Sequence, residues 1–444
     1  MLQQAAIAPA HRIPAAYIYL GQFLAHDMSV MDWSETAQVN GATGAWINAN
    51  HLHELSFDSL FGTVNPAGVA TSLWIDESGA TVVRATPPPL GLEPTFDLPR
   101  AGADGAHCCK DARVDSNLGL AQMHVLLARF HQEMAKALNL TEDQAIAETR
   151  RHLQAVVLTD YLRKIIPDAI YDQVMLDGRT VVNAAPSDFL VPIEFAAAVF
   201  RFGHSMVGNT YPLWTIPWPA GSFMQSQSAD LTSLIAYTQA GGSLPFDQVE
   251  FHWAQPWRHM TEAQRDYLMV NRVFARPISA SISGKFGALS RNSFPDPQDS
   301  TNTAPFNLAR MTLGRGKGFG LPSGQQMADL AGAAQLDVKQ FLTDRPGRFA
   351  GLTNDNALCN ETPLWFYTLA EAEALGNGRL GPAAARIVME TFLAALLKSG
   401  TGFVTTAASG QTSINFERKV RLGQGDPHQF SLTDVVGVAY GGVD

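Results

Sequence analysis

The sequence predicts a mainly α fold, organised as one large helical domain with few short strands. In most of the chain, apolar residues recur three and four positions apart, which is the period of an amphipathic helix. Alternating runs typical of strands are short and few, such as TVVN at 180–183. No internal repeat or domain-scale linker interrupts the 444 residues, so we expect a single domain over 1–444.

The first predicted helix covers 14–31 and opens with Pro14, a residue favoured in the first helical turn. The following region, 34–112, is rich in Gly, Pro, Asn and Thr. We interpret it as a long ordered loop region with at most short strands. Long loops in compact proteins often form the wall of a functional site.

Helical periodicity resumes at 115–138. Thr141 and Gln144 then form a T-x-x-Q capping box, which predicts the start of a helix over 142–165. Further helices are predicted at 193–207, 228–239, 262–275, 305–313, 323–332, 363–375 and 380–398.

Composition and charge exclude several classes of protein. The net charge of −10 argues against a nucleic-acid-binding surface, although a local basic cluster such as RGKG at 315–318 could bind a small anion. No run reaches 18 apolar residues, so we expect no membrane span. The first residues lack the pattern of a signal peptide, which favours a cytoplasmic protein unless secretion uses another route.

The stretch GQFLAHDMS (21–29) places three polar residues in an otherwise apolar helix. Gln22 and His26 are four residues apart and share a helix face, whereas Asp27 points about 100° away. A single histidine on an apolar helix is more often a hydrogen-bonded core residue than a ligand. The pattern alone therefore leaves a structural and a functional interpretation open.

Two other predicted helices carry polar pairs at a spacing of three residues. Arg201 and His204 lie in RFGH, and Asn307 and Arg310 lie in NLAR. Such pairs can face one shared cavity. The sequence contains no H-E-x-x-H or C-x-x-C zinc spacing, no P-loop, no G-x-S-x-G motif and no strand-linked G-x-G-x-x-G.

Four motifs together carry a family resemblance: GQFLAHDMS, ARVDSNLGLAQMHVLLARFH, FRFGHSMV and FNLARMTLGRGKGFGLPSG. The order of these motifs and the distances between them resemble those of the animal-type haem peroxidases. These proteins belong to the peroxidase–cyclooxygenase superfamily, which has many bacterial members. The motif-bearing core covers about 14–398. The resemblance implies a mainly α haem peroxidase domain that reduces hydrogen peroxide and oxidises a small organic donor or halide.

The resemblance also implies roles for three residues on the distal side of the haem. His26 matches the distal histidine, Arg113 the distal arginine, and Gln22 the glutamine that holds water or halide above the iron. A neutral imidazole can take a proton from peroxide and return it to the leaving oxygen, because its ordinary pKa is about 6.5. A guanidinium stabilises the negative charge that develops meanwhile.

On the proximal side, His204 matches the axial iron ligand, and Asn307 matches the asparagine that hydrogen-bonds its imidazole. Arg201 matches an arginine that contacts a haem propionate, and Arg310 is a second candidate partner for a propionate.

Three positions depart from the pattern of mammalian relatives, whose haem is covalently linked. Ala25 and Ser116 replace the two residues that form ester links, and Asn117 replaces the methionine of the sulfonium link. We therefore expect haem b to be held without covalent bonds.

Asp27 matches a calcium ligand of the family. The other calcium ligands of the family come from a T-x-F-x-D-x-S loop. The nearest equivalent here, SFDSLFG at 56–62, is shorter and lacks the full ligand set. The alternative role for Asp27 is a salt bridge or a contact between helices.

Two other functions remain as alternatives. Fatty-acid dioxygenases of the superfamily carry a redox-active tyrosine three residues before the proximal histidine, where this chain has Arg201; Tyr17, Tyr19 and Tyr211 lie near motifs but not there. The second alternative is a haem-binding or adhesion module without turnover. The intact distal residues argue against it, since binding alone does not require them.

Overall fold

The structure is a computed structural model. It describes residues 12–29, 54–61, 84–86, 95–97, 112–212, 228–232, 234–235, 274–289, 305–420 and 426–441. The described part is mostly helical, and its strands form two-stranded antiparallel pairs. The predicted fold class, mainly α with few short strands, is confirmed.

The described α-helices are numbered here in chain order. They are α1 Ala16–Met28, α2 Asp58–Phe61, α3 Leu118–Ala137, α4 Glu142–Ala155, α5 Leu162–Ile165, α6 Asp168–Asp177, α7 Ile193–Ala197, α8 Gly203–Met206, α9 Leu308–Gly318, α10 Gly324–Leu330, α11 Val338–Thr343, α12 Pro346–Phe349, α13 Asn356–Asn360, α14 Leu364–Leu375, α15 Pro382–Lys398 and α16 Leu432–Gly441. The 3₁₀ helices are Ala112–Asp115, Pro186–Asp188, Val199–Phe202 and Gly284–Gly287, and a π-helical segment spans Val156–Tyr161.

Six short strands in the described ranges form three antiparallel pairs. β1 Arg84–Thr86 pairs with β2 Thr95–Asp97, β3 Thr210–Pro212 with β4 Ser228–Asp230, and β5 Val404–Thr406 with β6 Thr412–Ile414.

Helix α3 runs through the centre of the main apolar core and packs against both α1 and α16. Asn117 begins α3, because its Oδ1 accepts a hydrogen bond from the Leu120 N–H at 3.0 Å. Just past the middle of α3, the Arg129 guanidinium donates to the Ala439 carbonyl oxygen at 2.8 Å and so connects α16 to α3. No helix in the described ranges is both long and apolar enough to cross a bilayer.

Several predicted helices lie close to their expected positions, but two of them are interrupted. Gln144 Oε1 accepts the Thr141 N–H at 3.0 Å, as the capping box predicts. The helix expected over 142–165 changes to π geometry at Val156–Tyr161. The segment expected as one helix over 193–207 divides into α7, a 3₁₀ turn and α8.

The strand expected at 180–183 is absent. Instead, the buried Glu390 carboxylate on α15 accepts hydrogen bonds from the backbone N–H groups of Thr180, Val181 and Val182, at 2.6–2.9 Å. These N–H groups therefore have a side-chain acceptor and need no strand partner.

The helix predicted over 228–239 begins as strand β4, which pairs with β3. The predicted helix over 262–275 lies almost wholly outside the described residues. Of the predicted loop region 34–112, the described parts include α2 and the β1–β2 pair.

Candidate active site

One cavity of about 450 Å³ brings together most of the predicted site residues. Gln22 and His26 of α1 line it, as does Arg113 of the 3₁₀ helix before α3. Arg201 and His204, from the 3₁₀ turn and α8, line the same cavity. Its volume falls in the range of cofactor and small-molecule sites, roughly 300–1,000 Å³.

The Gln22 amide is fixed by residues at the start of α3. Asn117 Nδ2 donates to Gln22 Oε1 at 3.1 Å, and Gln22 Nε2 lies 3.4 Å from Ser116 Oγ. Because Asn117 also caps α3, its own orientation is set by that helix. Ser116 and Asn117 therefore set the orientation of the Gln22 side chain at the cavity.

Arg113 is held against α1 by a hydrogen bond from its Nη2 to the His26 carbonyl oxygen at 3.0 Å. This bond joins two segments that are 87 residues apart in the chain. The guanidinium is thus preorganised next to His26, and donors that are fixed in advance stabilise developing charge most effectively.

His204 lies deep in the protein but opens onto the cavity. Burial, followed by the positive charges of Arg201 and Arg315, lowers the pKa of His204 to about 3. Its buried Nδ1 has no hydrogen-bond partner among the described residues. The ring lies beside Phe286 and Trp365, with centroids 6.1 and 6.2 Å away. A neutral imidazole in apolar surroundings is chemically suited to bind a metal.

Three arginines line the cavity and form a cationic cluster: Arg113, Arg201 and Arg315. Burial lowers the pKa of Arg201 well below its ordinary value, and the charges of Arg315 and Arg113 lower it further. Burial also lowers the pKa of Arg315 to about 10. Arg201 Nε donates to the Ala196 carbonyl oxygen at 3.0 Å, which fixes the guanidinium.

Buried, mutually repelling cations are stabilised by an anion placed among them. The cationic cluster would therefore suit the propionate groups of a haem, and the neutral His204 would suit its iron. The residues that line the cavity are compatible with this cofactor.

Asn307 and Arg310 are positioned differently from the prediction. Both side chains are exposed, and Asn307 Oδ1 caps α9 by accepting the Arg310 N–H at 3.0 Å. Arg310 does not line the cavity, whereas Arg315, five residues later, does. Five residues rotate by about 140° around a helix, so the two arginines occupy different faces of α9. Arg315 belongs to the RGKG segment, whose basic composition is the sequence signal that could have identified it.

Asp27 points away from the cavity, as its helix position predicts. It is buried, and its Oδ2 accepts the backbone N–H of Phe57 at 3.0 Å. Phe57 adopts a left-handed conformation with φ of 59°, which this carboxylate contact helps to hold. Asp27 thus joins α1 to the segment that contains α2. Within the described ranges, no group of three or more His, Cys, Asp or Glu residues is arranged to hold a metal ion.

Comparison with known proteins identifies relatives along most of the chain. The family model of animal haem peroxidases matches residues 93–406. Thyroid peroxidase of Rattus norvegicus is 26% identical over 312 residues, which cover 66% of this chain and 31% of that protein. Thyroid peroxidase of Sus scrofa is 26% identical over 334 residues, covering 70% and 32% respectively. The matched segment is about a third of the length of these relatives.

Solved structures of other proteins share the fold. Peroxidase A from Dictyostelium discoideum aligns with a TM-score of 0.50 and 16% identity, covering 88% of this chain and 80% of that one. The fatty acid alpha-dioxygenase of Oryza sativa aligns with a TM-score of 0.55 and 13% identity, covering 87% and 68%.

Proposed function

The chain belongs to the animal haem peroxidase family, and on that premise we propose that it is a haem peroxidase. It reduces hydrogen peroxide and oxidises a small organic donor or a halide. The observation that supports this proposal most strongly is the shared cavity. A candidate proton-transfer histidine, His26, and a candidate iron ligand, His204, line it together with three arginines.

His204 would bind the iron of haem b, and Arg201 and Arg315 would bind its propionates. We propose Arg315 for this role in place of Arg310, because Arg315 lines the cavity and is half-buried. When bound, haem would supply the redox chemistry that cleaves the oxygen–oxygen bond of peroxide. Ala25, Ser116 and Asn117 offer no carboxylate or thioether for a covalent link.

The distal residues move and stabilise charge. The His26 imidazole takes the proton of the incoming peroxide and gives it to the departing oxygen. Arg113, held at His26 by its hydrogen bond to the carbonyl oxygen, donates to the oxygen on which negative charge develops. Gln22, fixed by Asn117, orients water or a halide in the cavity.

The test is steady-state oxidation of a phenolic donor by hydrogen peroxide, using haem-loaded protein. We expect His26→Ala to lower kcat/KM by roughly 10²- to 10⁴-fold while the protein still binds haem. His428→Ala, at an exposed histidine far along the chain, is the control and should leave turnover unchanged. Wild-type rates in His26→Ala would refute the assigned role.

Attachment of the cofactor is tested separately. Acid–acetone should extract all haem from the polypeptide if the cofactor is non-covalent. Haem that stays with the protein through denaturation would contradict this proposal.

A fatty-acid dioxygenase is the second candidate, because apolar side chains such as Phe200, Val207 and Ile235 also line the cavity. Uptake of oxygen with linoleate, in the absence of peroxide, would favour it. A module that binds haem without turnover is the third. It would be favoured if haem-loaded protein oxidised neither phenols nor linoleate.

A further inference from the structure

A tyrosine at the edge of the cavity has a buried carboxylate as its hydrogen-bond acceptor. Tyr17 of α1 lines the cavity and is 6% exposed. Its hydroxyl donates to Asp160 Oδ2 at 2.5 Å. None of the roles proposed above uses this pair.

Asp160 is positioned by an irregular part of the backbone. It lies in the π-helical segment Val156–Tyr161, and such segments occur frequently at functional sites. The same Oδ2 atom accepts the backbone N–H of Leu432 at 2.8 Å, so α16 holds the carboxylate in place. Burial raises the pKa of Asp160, which makes the carboxylate a better proton acceptor.

Two further charged groups face this pair. Lys164 is exposed, and its Nζ lies 5.9 Å from the centre of the Tyr17 ring. Asp434 is engaged at the start of α16, where it accepts hydrogen bonds from the backbone N–H and hydroxyl of Ser431. Neither group replaces Asp160 as the acceptor of the Tyr17 hydrogen bond.

Tyr161 provides an internal comparison. It lines the same cavity and is also buried, and its hydroxyl packs over Gly21. No described residue accepts a hydrogen bond from it, and burial alone raises the pKa of its phenol. A phenol that loses an electron must also release its proton, and Tyr161 has no described group to receive it.

We propose that Tyr17 is a redox relay and that Asp160 is its proton acceptor. This inference rests on the proposed peroxidase function, which supplies the oxidant. With haem bound, hydrogen peroxide would be the oxidant. Tyr17 gives up one electron to it by way of the haem, while its phenolic proton moves to Asp160 Oδ2. The neutral tyrosyl radical then takes one electron from a reducing donor, such as a phenol, and the proton returns from Asp160.

The position of Tyr17 indicates what the relay is for. Tyr17 lies nine residues before His26 on α1, about 14 Å along the helix axis. The exposed Lys164 also lies close to the ring, with its Nζ 5.9 Å from the ring centre. Tyr17 thus connects the cavity to the surface, and a donor too large to enter the cavity can be oxidised there.

The test is electron paramagnetic resonance of haem-loaded protein, mixed with hydrogen peroxide and frozen rapidly. Wild type and the matched control Tyr161→Phe should show a tyrosyl radical. Tyr17→Phe should lose this signal, and Asp160→Asn should form it on the order of 10²-fold more slowly, because proton transfer is removed. Absorption spectra of each variant report haem loading and reaction with peroxide independently of the radical.

If Tyr17→Phe forms as much tyrosyl radical as the wild type, the proposed relay through Tyr17 is wrong. The relay is also overturned if wild-type haem responds to peroxide and no tyrosyl radical appears. If the haem spectrum does not respond to peroxide, the proposed function itself fails, and the relay fails with it. Should Tyr17→Phe not fold, the rate in Asp160→Asn decides, and wild-type kinetics there would refute the proposal.

Discussion

Arg310 and Arg315 carry the same charge on one helix but differ in their surroundings. Arg310 is exposed at the first turn of α9, whereas Arg315 is half-buried against the cavity and repels Arg201. Two partly desolvated cations close together repel each other, and this repulsion is unfavourable. An anionic cofactor that binds between the two arginines removes this repulsion. The free energy gained in this way adds to the affinity for the cofactor.

Removing Arg315 should therefore weaken haem binding, whereas removing Arg310 should not. Arg315→Ala eliminates a charge-assisted hydrogen bond, worth about 1.5–3 kcal/mol, and should raise the Kd for haem about 10- to 100-fold. Arg310→Ala is the matched control. Titration of apoprotein with haem, followed by absorption, measures both. Equal effects of the two substitutions would contradict the assignment of Arg315.

At the scale of elements, close contacts between helices depend on glycine. Gly324 begins α10 and lies against the ring of Tyr367 on α14, where a Cβ would overlap the ring atoms. Tyr367 is itself held by its hydroxyl, which accepts the Leu336 N–H at 2.8 Å. The Tyr367 ring therefore cannot move aside without breaking its hydrogen bond to Leu336. A glycine at position 324 is required for α10 to approach α14 this closely.

We predict that Gly324→Ala destabilises the protein by about 1–3 kcal/mol, because the added methyl group overpacks this contact. Gly314→Ala is the control, since a Cβ at this position on α9 meets no atom within 4 Å. Alanine is a better helix former than glycine, so the control should gain up to about 1 kcal/mol. Chemical denaturation of the two variants measures the difference. If Gly324→Ala leaves the free energy of unfolding unchanged, α14 must be able to move away from α10 at little cost.

At the scale of the whole molecule, a buried carboxylate should make stability depend on pH. Glu371 of α14 is fully buried and accepts the N–H groups of Ala383 and Ala384 at the start of α15, at 3.1 and 3.3 Å. Burial outweighs these hydrogen bonds and raises the pKa of Glu371 from 4.5 to about 7. Between these two values the folded protein holds a proton that the unfolded chain has released.

The contribution of Glu371 to the free energy of unfolding should therefore fall as pH rises from about 4.5 to 7, and stay constant above that range. A shift of this size corresponds to roughly 3–3.5 kcal/mol. Glu371→Gln cannot titrate and should reduce this pH dependence. Urea denaturation at pH 5 and pH 7.5 measures both proteins, and identical pH dependence in the two would show that Glu371 does not titrate in this window.

The segment after residue 398 is also part of the folded unit. Helix α16 packs on α3, and the Leu432 N–H binds the Asp160 carboxylate next to the cavity. The recognisable motifs end before this segment, so the motif-bearing core of 14–398 is smaller than the structure that supports the site. A motif identifies residues that carry chemistry, whereas packing partners can be any apolar residues of suitable size.

The amino-acid sequence by itself determined the mainly α class, the capping box at Thr141 and the residues Gln22, His26, Arg113, Arg201 and His204, which the structure brings to one cavity. These follow from local periodicity, from capping chemistry and from motifs whose order is preserved. Tertiary structure alone decided that Glu390 replaces a strand partner at 180–182, that Arg315 rather than Arg310 faces the cavity, and that Asp160 meets Tyr17. Each of these depends on which helix face is buried or on contacts between segments more than a hundred residues apart. Local sequence patterns cannot specify such contacts, because they arise only when the whole core packs.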